Sequence, residues 1–164
     1  GKIKVGYISA SLGKITASDF WRSVGVSPNL EDEYLRRHKL TIGLNEFLDT
    51  LNSRRMGVWC LSNDVAEWAR KLRARFRLEK YFRGYVISGD IGFRKPDPAF
   101  FDYLLRQISG NVGGTVIVDD NPDNLDSAAT LGFKTVLFDI AGADSRHSVH
   151  ESVSSFEELL QRLS

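Results

Sequence analysis

From Gly43 onward the chain alternates amphipathic stretches with short apolar runs. Leu44, Phe47, Leu48 and Leu51 fall at helical spacing, and the segment from Arg54 to Gly57 closes that helix. Val58 to Leu61 is a short apolar run, the pattern of a strand buried on both faces. Asp64 to Phe76 returns to helical spacing, with Val65, Trp68, Ala69 and Leu72 on one stripe. Tyr85 to Ser88 predicts a second strand, and Pro98 opens a helix running through Gln107 with Phe101, Leu104 and Leu105 on its apolar side. Thr115 to Val118 predicts a third strand, Asn124 to Leu131 a helix, and Thr135 to Phe138 a fourth strand. Ser154 to Leu163 closes the chain as an amphipathic helix, with Phe156, Leu159, Leu160 and Leu163 facing inward. Strands alternating with helices over short connections predict an α/β fold: a three-layer, Rossmann-like parallel sheet covered on both faces.

The first 38 residues follow a different pattern. Thr16 or Ser18 can cap a helix holding Phe20, Trp21 and Val24, Pro28 with Asn29 marks a turn, and Leu30 to His38 predicts a short, highly charged helix. Lys2 to Ile8 suits a helix or a strand equally. Two regions result, residues 1–39 as small helices and residues 40–164 as the α/β core.

Composition narrows the class. Hydrophobic residues make up 42% and charged residues 26%, which excludes a disordered chain. With 22 basic and 21 acidic residues the net charge is +1, so no electrostatic argument for nucleic acid exists. The lone cysteine, Cys60, rules out an intrachain disulfide framework and points to a reducing, cytoplasmic setting. No apolar run approaches the ~20 residues needed to cross a bilayer, so no membrane partner is expected. The chain begins at Gly1 rather than Met.

In an open α/β sheet, ligands sit beyond the carboxyl ends of the strands, and three such ends carry unusual polar residues. At Leu61-Ser62-Asn63-Asp64, a hydroxyl and backbone N–H groups stand where an anion can bind, or one of the three polar side chains merely caps the next helix. In Gly92-Phe93-Arg94-Lys95-Pro96-Asp97-Pro98, two prolines stiffen the backbone after Lys95, and Asp97 can cap the helix opened by Pro98. A lysine held in so stiff a loop suits a phosphoryl group or a carboxylate; the alternative is a solvated lysine. At Val116-Ile117-Val118-Asp119-Asp120-Asn121, adjacent carboxylates end a buried strand and would repel each other without a cation, for which Mg²⁺ is the natural choice. The alternative is a pair of helix-capping loop acids. His38, His147 and His150 lie in polar surroundings that predict surface positions, and Trp21, Trp59 and Trp68 sit on apolar patterns that predict packing. There is no Gly-rich phosphate loop and no metal-ligand histidine spacing.

Leu61-Ser62-Asn63, Gly92-Phe93-Arg94-Lys95-Pro96-Asp97-Pro98 and Val118-Asp119-Asp120-Asn121, in that order, closely resemble the second, third and fourth motifs of the haloacid dehalogenase-like hydrolases. Gly13-Lys14-Ile15-Thr16 through Phe20-Trp21 is similar to the small helical cap of the phosphatase-like branch. The resemblance runs from about Gly13 to Phe138. It implies that Ser62 and the Asn63 region hold a transferring phosphoryl group, and that Lys95 balances charge between nucleophile and phosphate. It further implies that Asp120 binds Mg²⁺ directly with Asp119 as the supporting acid, while Asn124 braces the loop. The implied partner is a small phosphorylated metabolite, hydrolysed through an aspartyl-phosphate. Dehalogenation fits less well, because it needs no metal and leaves Asp119-Asp120 without a purpose. One departure stands out. The family's nucleophile and general acid/base come from an Asp-x-Asp after an N-terminal strand, and this chain contains no Asp-x-Asp. That predicts a core lacking its first, central strand and a chain inactive by itself. A non-catalytic binding or scaffold protein on the same fold is the alternative.

Overall fold

The computed structural model describes residues 1–140 and 149–163. Backbone packing gathers them into two compact units, residues 1–42 with 49–94, and residues 43–48 with 95–163.

The first unit begins with helices. Lys2–Ser11 forms α1, which settles the ambiguity of that segment in favour of helix. Ala17–Ser23 forms α2, and Thr16 starts it with a capping box: its hydroxyl accepts from the Asp19 N–H while the Asp19 carboxylate reaches back. The Pro28 turn is a single 3₁₀ turn over Pro28–Leu30, followed by α3 over Glu31–Arg36. Three acids, Glu31, Asp32 and Glu33, occupy the first turn of α3, where the helix dipole favours them. Next come α4 (Leu44–Ser53), whose first residues belong to the second unit, and β1 (Val58–Ser62). After these follow α5 (Ala66–Arg75), β2 (Phe82–Ile87) and the one-turn α6 (Ser88–Ile91). Strands β1 and β2 pair in parallel, Trp59 opposite Gly84 and Ser62 opposite Ile87. β1 is half-buried along its length rather than buried on both faces, and β2 begins three residues before the apolar run that announced it.

The core of this unit is aromatic. Phe20, Trp21 and Trp68 are buried with Ala10, Leu35 and Val65, and their rings meet edge-on or tilted at centroid distances of 5.1–5.5 Å. One carboxylate organises the indoles. Glu31 Oε2 accepts from Trp21 Nε1 at 3.1 Å and from Trp68 Nε1 at 2.8 Å, and its Oε1 accepts from Lys71 Nζ at 2.6 Å. Burial pushes the Glu31 carboxyl up, but the donors from Lys71 and the two indoles outweigh it and hold the group below its usual range. Glu31→Ala would orphan two indole N–H groups on buried rings. At roughly 1–3 kcal/mol per orphaned donor, a loss of about 2–6 kcal/mol is expected in urea unfolding, with Glu31→Gln costing distinctly less because it keeps the acceptor.

A close approach fixes the end of α1. Gly13 has φ +68°, and a Cβ there would stand 2.5 Å from the Gly89 carbonyl oxygen. Only glycine satisfies both demands.

The second unit contains α7 (Pro98–Gln107), β3 (Val116–Asp119), α8 (Pro122–Thr130), β4 (Lys134–Phe138), β5 (Glu151–Val153) and α9 (Phe156–Arg162). Its sheet runs β3-β4-β5, all parallel. β5 is too short and polar to announce itself by hydrophobic pattern. Phe100, Phe101, Leu104, Leu125, Leu137 and Leu159 are almost fully buried and form its core. Val118, in contrast, is 37% exposed, so β3 is buried on one face only and not on both. The architecture is α/β with parallel strands, as the sequence pattern predicts.

One histidine, His150, departs from expectation. His38 is half-buried with its ring edge-on to Tyr34 at 4.9 Å. The His150 side chain is only 5% exposed, one ring nitrogen 2.8 Å from Thr135 Oγ1 and the other 2.9 Å from Asp126 Oδ1. Its polar sequence neighbourhood hid a side chain that turns inward to two partners. His147 lies outside the described residues. Trp59, half-buried, lies across Gly84, and with Trp21 and Trp68 it serves packing. No described helix is long and apolar enough to cross a membrane.

Candidate active site

Ser62 is the last residue of β1, and the chain turns there through Asn63 and Asp64 into α5. Neither Ser62 nor Asn63 caps that helix. Its N-cap is Val65, without a side-chain cap, and the Asp64 carboxylate accepts from the adjacent Val65 N–H at 2.8 Å. The capping alternative therefore fails, which leaves the Ser62 hydroxyl without a hydrogen-bond partner among the described residues.

Groups distant in sequence hold the turn itself. Tyr7 Oη, on α1, donates to the Asn63 carbonyl at 2.9 Å. Ser88 is wholly buried, and its Oγ accepts from the Asp64 N–H at 3.0 Å. The Asp64 carbonyl accepts from the Gly89 N–H at 3.1 Å. Arg94 donates to Ser11 Oγ and lies with its guanidinium carbon 5.4 Å from the centre of the Tyr7 ring. Burial pushes the Asp64 carboxyl above its usual range, against the opposing pull of the Val65 N–H and of His38, Arg73 and Arg94. Burial also raises the Tyr7 phenol, helped by Asp64. Sequence reasoning missed Tyr7, Ser11, Ser88 and Arg94. Only the position of Arg94 beside Lys95 could have flagged any of them.

In the second unit Lys95 is not a solvated lysine. Its Nζ donates to Asp119 Oδ2 at 2.5 Å, with side chains 9% and 4% exposed. Asp119 closes β3, and its other oxygen accepts from the Asn121 N–H and from Asn124 Nδ2, both at 2.9 Å. Burial alone would raise the Asp119 carboxyl. The Lys95 charge and hydrogen bond, with Asn124 and Asn121, reverse that and hold it below the ordinary carboxylate range. The cation that the acid pair demands is thus already supplied by Lys95. Asp120 points into solvent beside it. Helix caps are provided by others, Asn121 for α8 and Asp97 for α7.

Of the six predicted site residues, Lys95, Asp119 and Asn124 are in direct contact, and Asp120 adjoins them. Ser62 and Asn63 stand at the β1 end in the first unit. Carboxylate oxygens are the right donors for Mg²⁺, which commonly takes one or two protein carboxylates and completes its shell with water and phosphate. Asp120 is available, whereas both Asp119 oxygens are engaged. Among the described residues no group of three or more acidic, histidine or cysteine side chains could hold a metal.

Comparison with known proteins identifies the family. A family model described as a haloacid dehalogenase-like hydrolase matches residues 8–132. The sesquiterpene phosphatase astK of Aspergillus oryzae is 27% identical over 128 residues, covering 73% of this chain and 65% of astK. The drimenol cyclase drtB of Aspergillus calidoustus is 57% identical over 51 residues, 31% of this chain and 10% of drtB. Among solved structures, a HAD family enzyme from Bacteroides thetaiotaomicron, an alanine variant in complex with magnesium and inorganic phosphate, superposes with a TM-score of 0.74. It is 23% identical and covers 88% of this chain and 80% of its own. The chain therefore spans between a tenth and just under two thirds of the length of these two curated relatives.

Proposed function

Because the chain belongs to the haloacid dehalogenase-like hydrolases, we propose that it contributes the phosphate-handling part of a Mg²⁺-dependent phosphatase acting on a small phosphorylated metabolite. The observation that carries this reading is the buried Lys95–Asp119 pair at the end of β3, with Asp120 exposed beside it. A fixed ammonium next to an accessible carboxylate suits a phosphoryl group better than a halide, since it offers both charge compensation and a hard oxygen donor. Residues 1–39 act as a partial helical cap on the 40–164 core.

Each residue has a role this chain can perform. The Ser62 hydroxyl and the backbone N–H at Asn63 donate to phosphoryl oxygens, on a turn held by Tyr7 and Ser88. Lys95 offsets negative charge as the phosphorus–oxygen bond to the leaving group breaks. Asn124 and the Asn121 N–H keep Asp119 ionised, and so keep Lys95 in place. Asp120, with Asp119 in support, would hold a Mg²⁺ ion, which when bound would supply further charge neutralisation at the phosphoryl oxygens. The nucleophile is the component missing from these 164 residues, which contain no Asp-x-Asp. Likeness to astK makes a sesquiterpene phosphate the first substrate to try.

With one free carboxylate, this chain should bind Mg²⁺ only in the millimolar range. Calorimetry tests this, and micromolar affinity lost in Asp120→Asn would contradict it. The absent Asp-x-Asp also favours a second reading, a non-catalytic phosphate-binding protein on the same fold. The upstream reading frame separates the two: an Asp-x-Asp after an apolar run supports the phosphatase, and a start codon at Gly1 supports the binding protein.

A further inference from the structure

We propose that the first unit carries a second anion site, at the edge of β1 and β2 opposite Ser62, shaped for a ligand with two linked phosphoryl groups. A concave pocket of about 380 Å³ lies there, lined by Asn52 in the last turn of α4, by Arg55 just after that helix, and by Lys80, Tyr81 and Arg83 at the entry to β2. Met56 and Phe82 complete its wall. Ser62 stands four residues further along β1 from Val58, about 13 Å away at strand rise. The pocket is therefore separate from the phosphate-handling turn.

Three features point to an anion. The chain as a whole is balanced, 22 basic against 21 acidic residues, yet this lining holds three cations and no acid. Among the described residues, none of Arg55, Lys80 and Arg83 forms an ion pair. The nearby Asp49 carboxylate accepts from Tyr81 Oη at 2.8 Å, while Lys80 lies over the Tyr81 ring. Three unpaired cations facing one concavity repel one another and gain most from a multiply charged guest.

The backbone is shaped to match. A Cβ at Gly57 would stand 2.8–2.9 Å from Arg83 Nε, Cδ and Cζ, so the absence of a side chain there lets the guanidinium lie against the chain. Arg55 occupies the left-handed region at φ 56°, an uncommon conformation for a side-chain-bearing residue. The volume is at the small end for ligand pockets, and three positive charges match a diphosphate better than a single phosphate.

Inorganic pyrophosphate is the probe, titrated into the 164-residue chain by calorimetry and by amide chemical shifts. The expected result is one-to-one binding about tenfold or more tighter than orthophosphate, weakening with salt, with shifts centred on residues 52–57 and 80–84. Arg83→Ala should weaken binding about tenfold or more, the scale of one lost charge-assisted contact. Gly57→Ala is the sharper variant, because it keeps every charge and only displaces a flexible side chain. It should also weaken binding, whereas a merely basic surface would be indifferent to it. Absence of binding, equal affinity in Gly57→Ala, or shifts confined to residues 62–64 would overturn the proposal. The last outcome would leave the phosphatase reading intact, since it would place the probe at that turn.

Discussion

Asp119→Ala should destabilise the protein by about 3–5 kcal/mol, the scale of breaking one side of a buried ion pair. The substitution strands the Lys95 ammonium, 9% exposed, without its carboxylate, and it removes the acceptor of Asn124 Nδ2 and of the Asn121 N–H. Much of that loss is the cost of a buried ammonium giving up its Asp119 carboxylate and not the net worth of the pair. Adding Lys95→Met to Asp119→Ala should therefore recover a large part of it, which a double-mutant cycle in urea measures. The same pair sets an acid limit. The folded-state pKa of Asp119 lies below its unfolded value of about 3.9, so its contribution is fully present above that value and disappears as pH falls through the folded pKa. Wild-type stability should accordingly fall more steeply below pH 4 than that of the Asp119→Ala, Lys95→Met double variant. Parallel acid profiles would contradict the assignment.

The 164-residue chain should not hydrolyse p-nitrophenyl phosphate above background, while a longer form carrying an upstream Asp-x-Asp strand should. Ser62 is not a substitute nucleophile, because among the described residues its hydroxyl bonds to no histidine or other base that could take its proton. In the longer form, Lys95→Ala should lower kcat by about a hundredfold or more, the scale of removing one preorganised charge-stabilising group. Lys95→Ala also leaves Asp119 buried and unpaired, so circular dichroism at the assay temperature must first establish that the variant is folded. Mg²⁺-dependent turnover by the short chain, abolished by Ser62→Ala, would show that the nucleophile has been misassigned.

Hydrophobic periodicity located α7 at its observed bounds, because Asp97 and Pro98 mark its start and the apolar stripe is regular. It placed β4 within a residue for the same reason, a compact run of apolar and β-branched residues. β5 escaped because three residues, two of them exposed and polar, carry no period. α6 escaped because a four-residue turn has no face to pattern. At the candidate site, Lys95 and Asp119 were legible from their places at a strand end and a proline-stiffened turn, whereas Asn124 came only from the family resemblance. The groups that hold the β1 turn were not. Tyr7, Ser88 and Arg94 act through tertiary contacts, and nothing local in their sequence distinguishes a bonded tyrosine or serine from an ordinary one.

The turn after β1 has its anchors 56 and 24 positions away in sequence, at Tyr7 and Ser88. Closing loops of that length costs chain entropy before any contact rewards it, which places the turn among the last segments to become ordered as the chain folds. In the native state the same wiring works in reverse. Each transient fraying of α1 withdraws the Tyr7 hydroxyl from the Asn63 carbonyl, so the Asn63 side of the turn loses that anchor while Ser88 and Gly89 still hold Asp64. Deuterium uptake at Asn63 should therefore keep pace with the opening of residues 2–11 more closely than uptake at Asp64, and a protease nick in α1 would loosen one side of the proposed phosphate cradle without touching it.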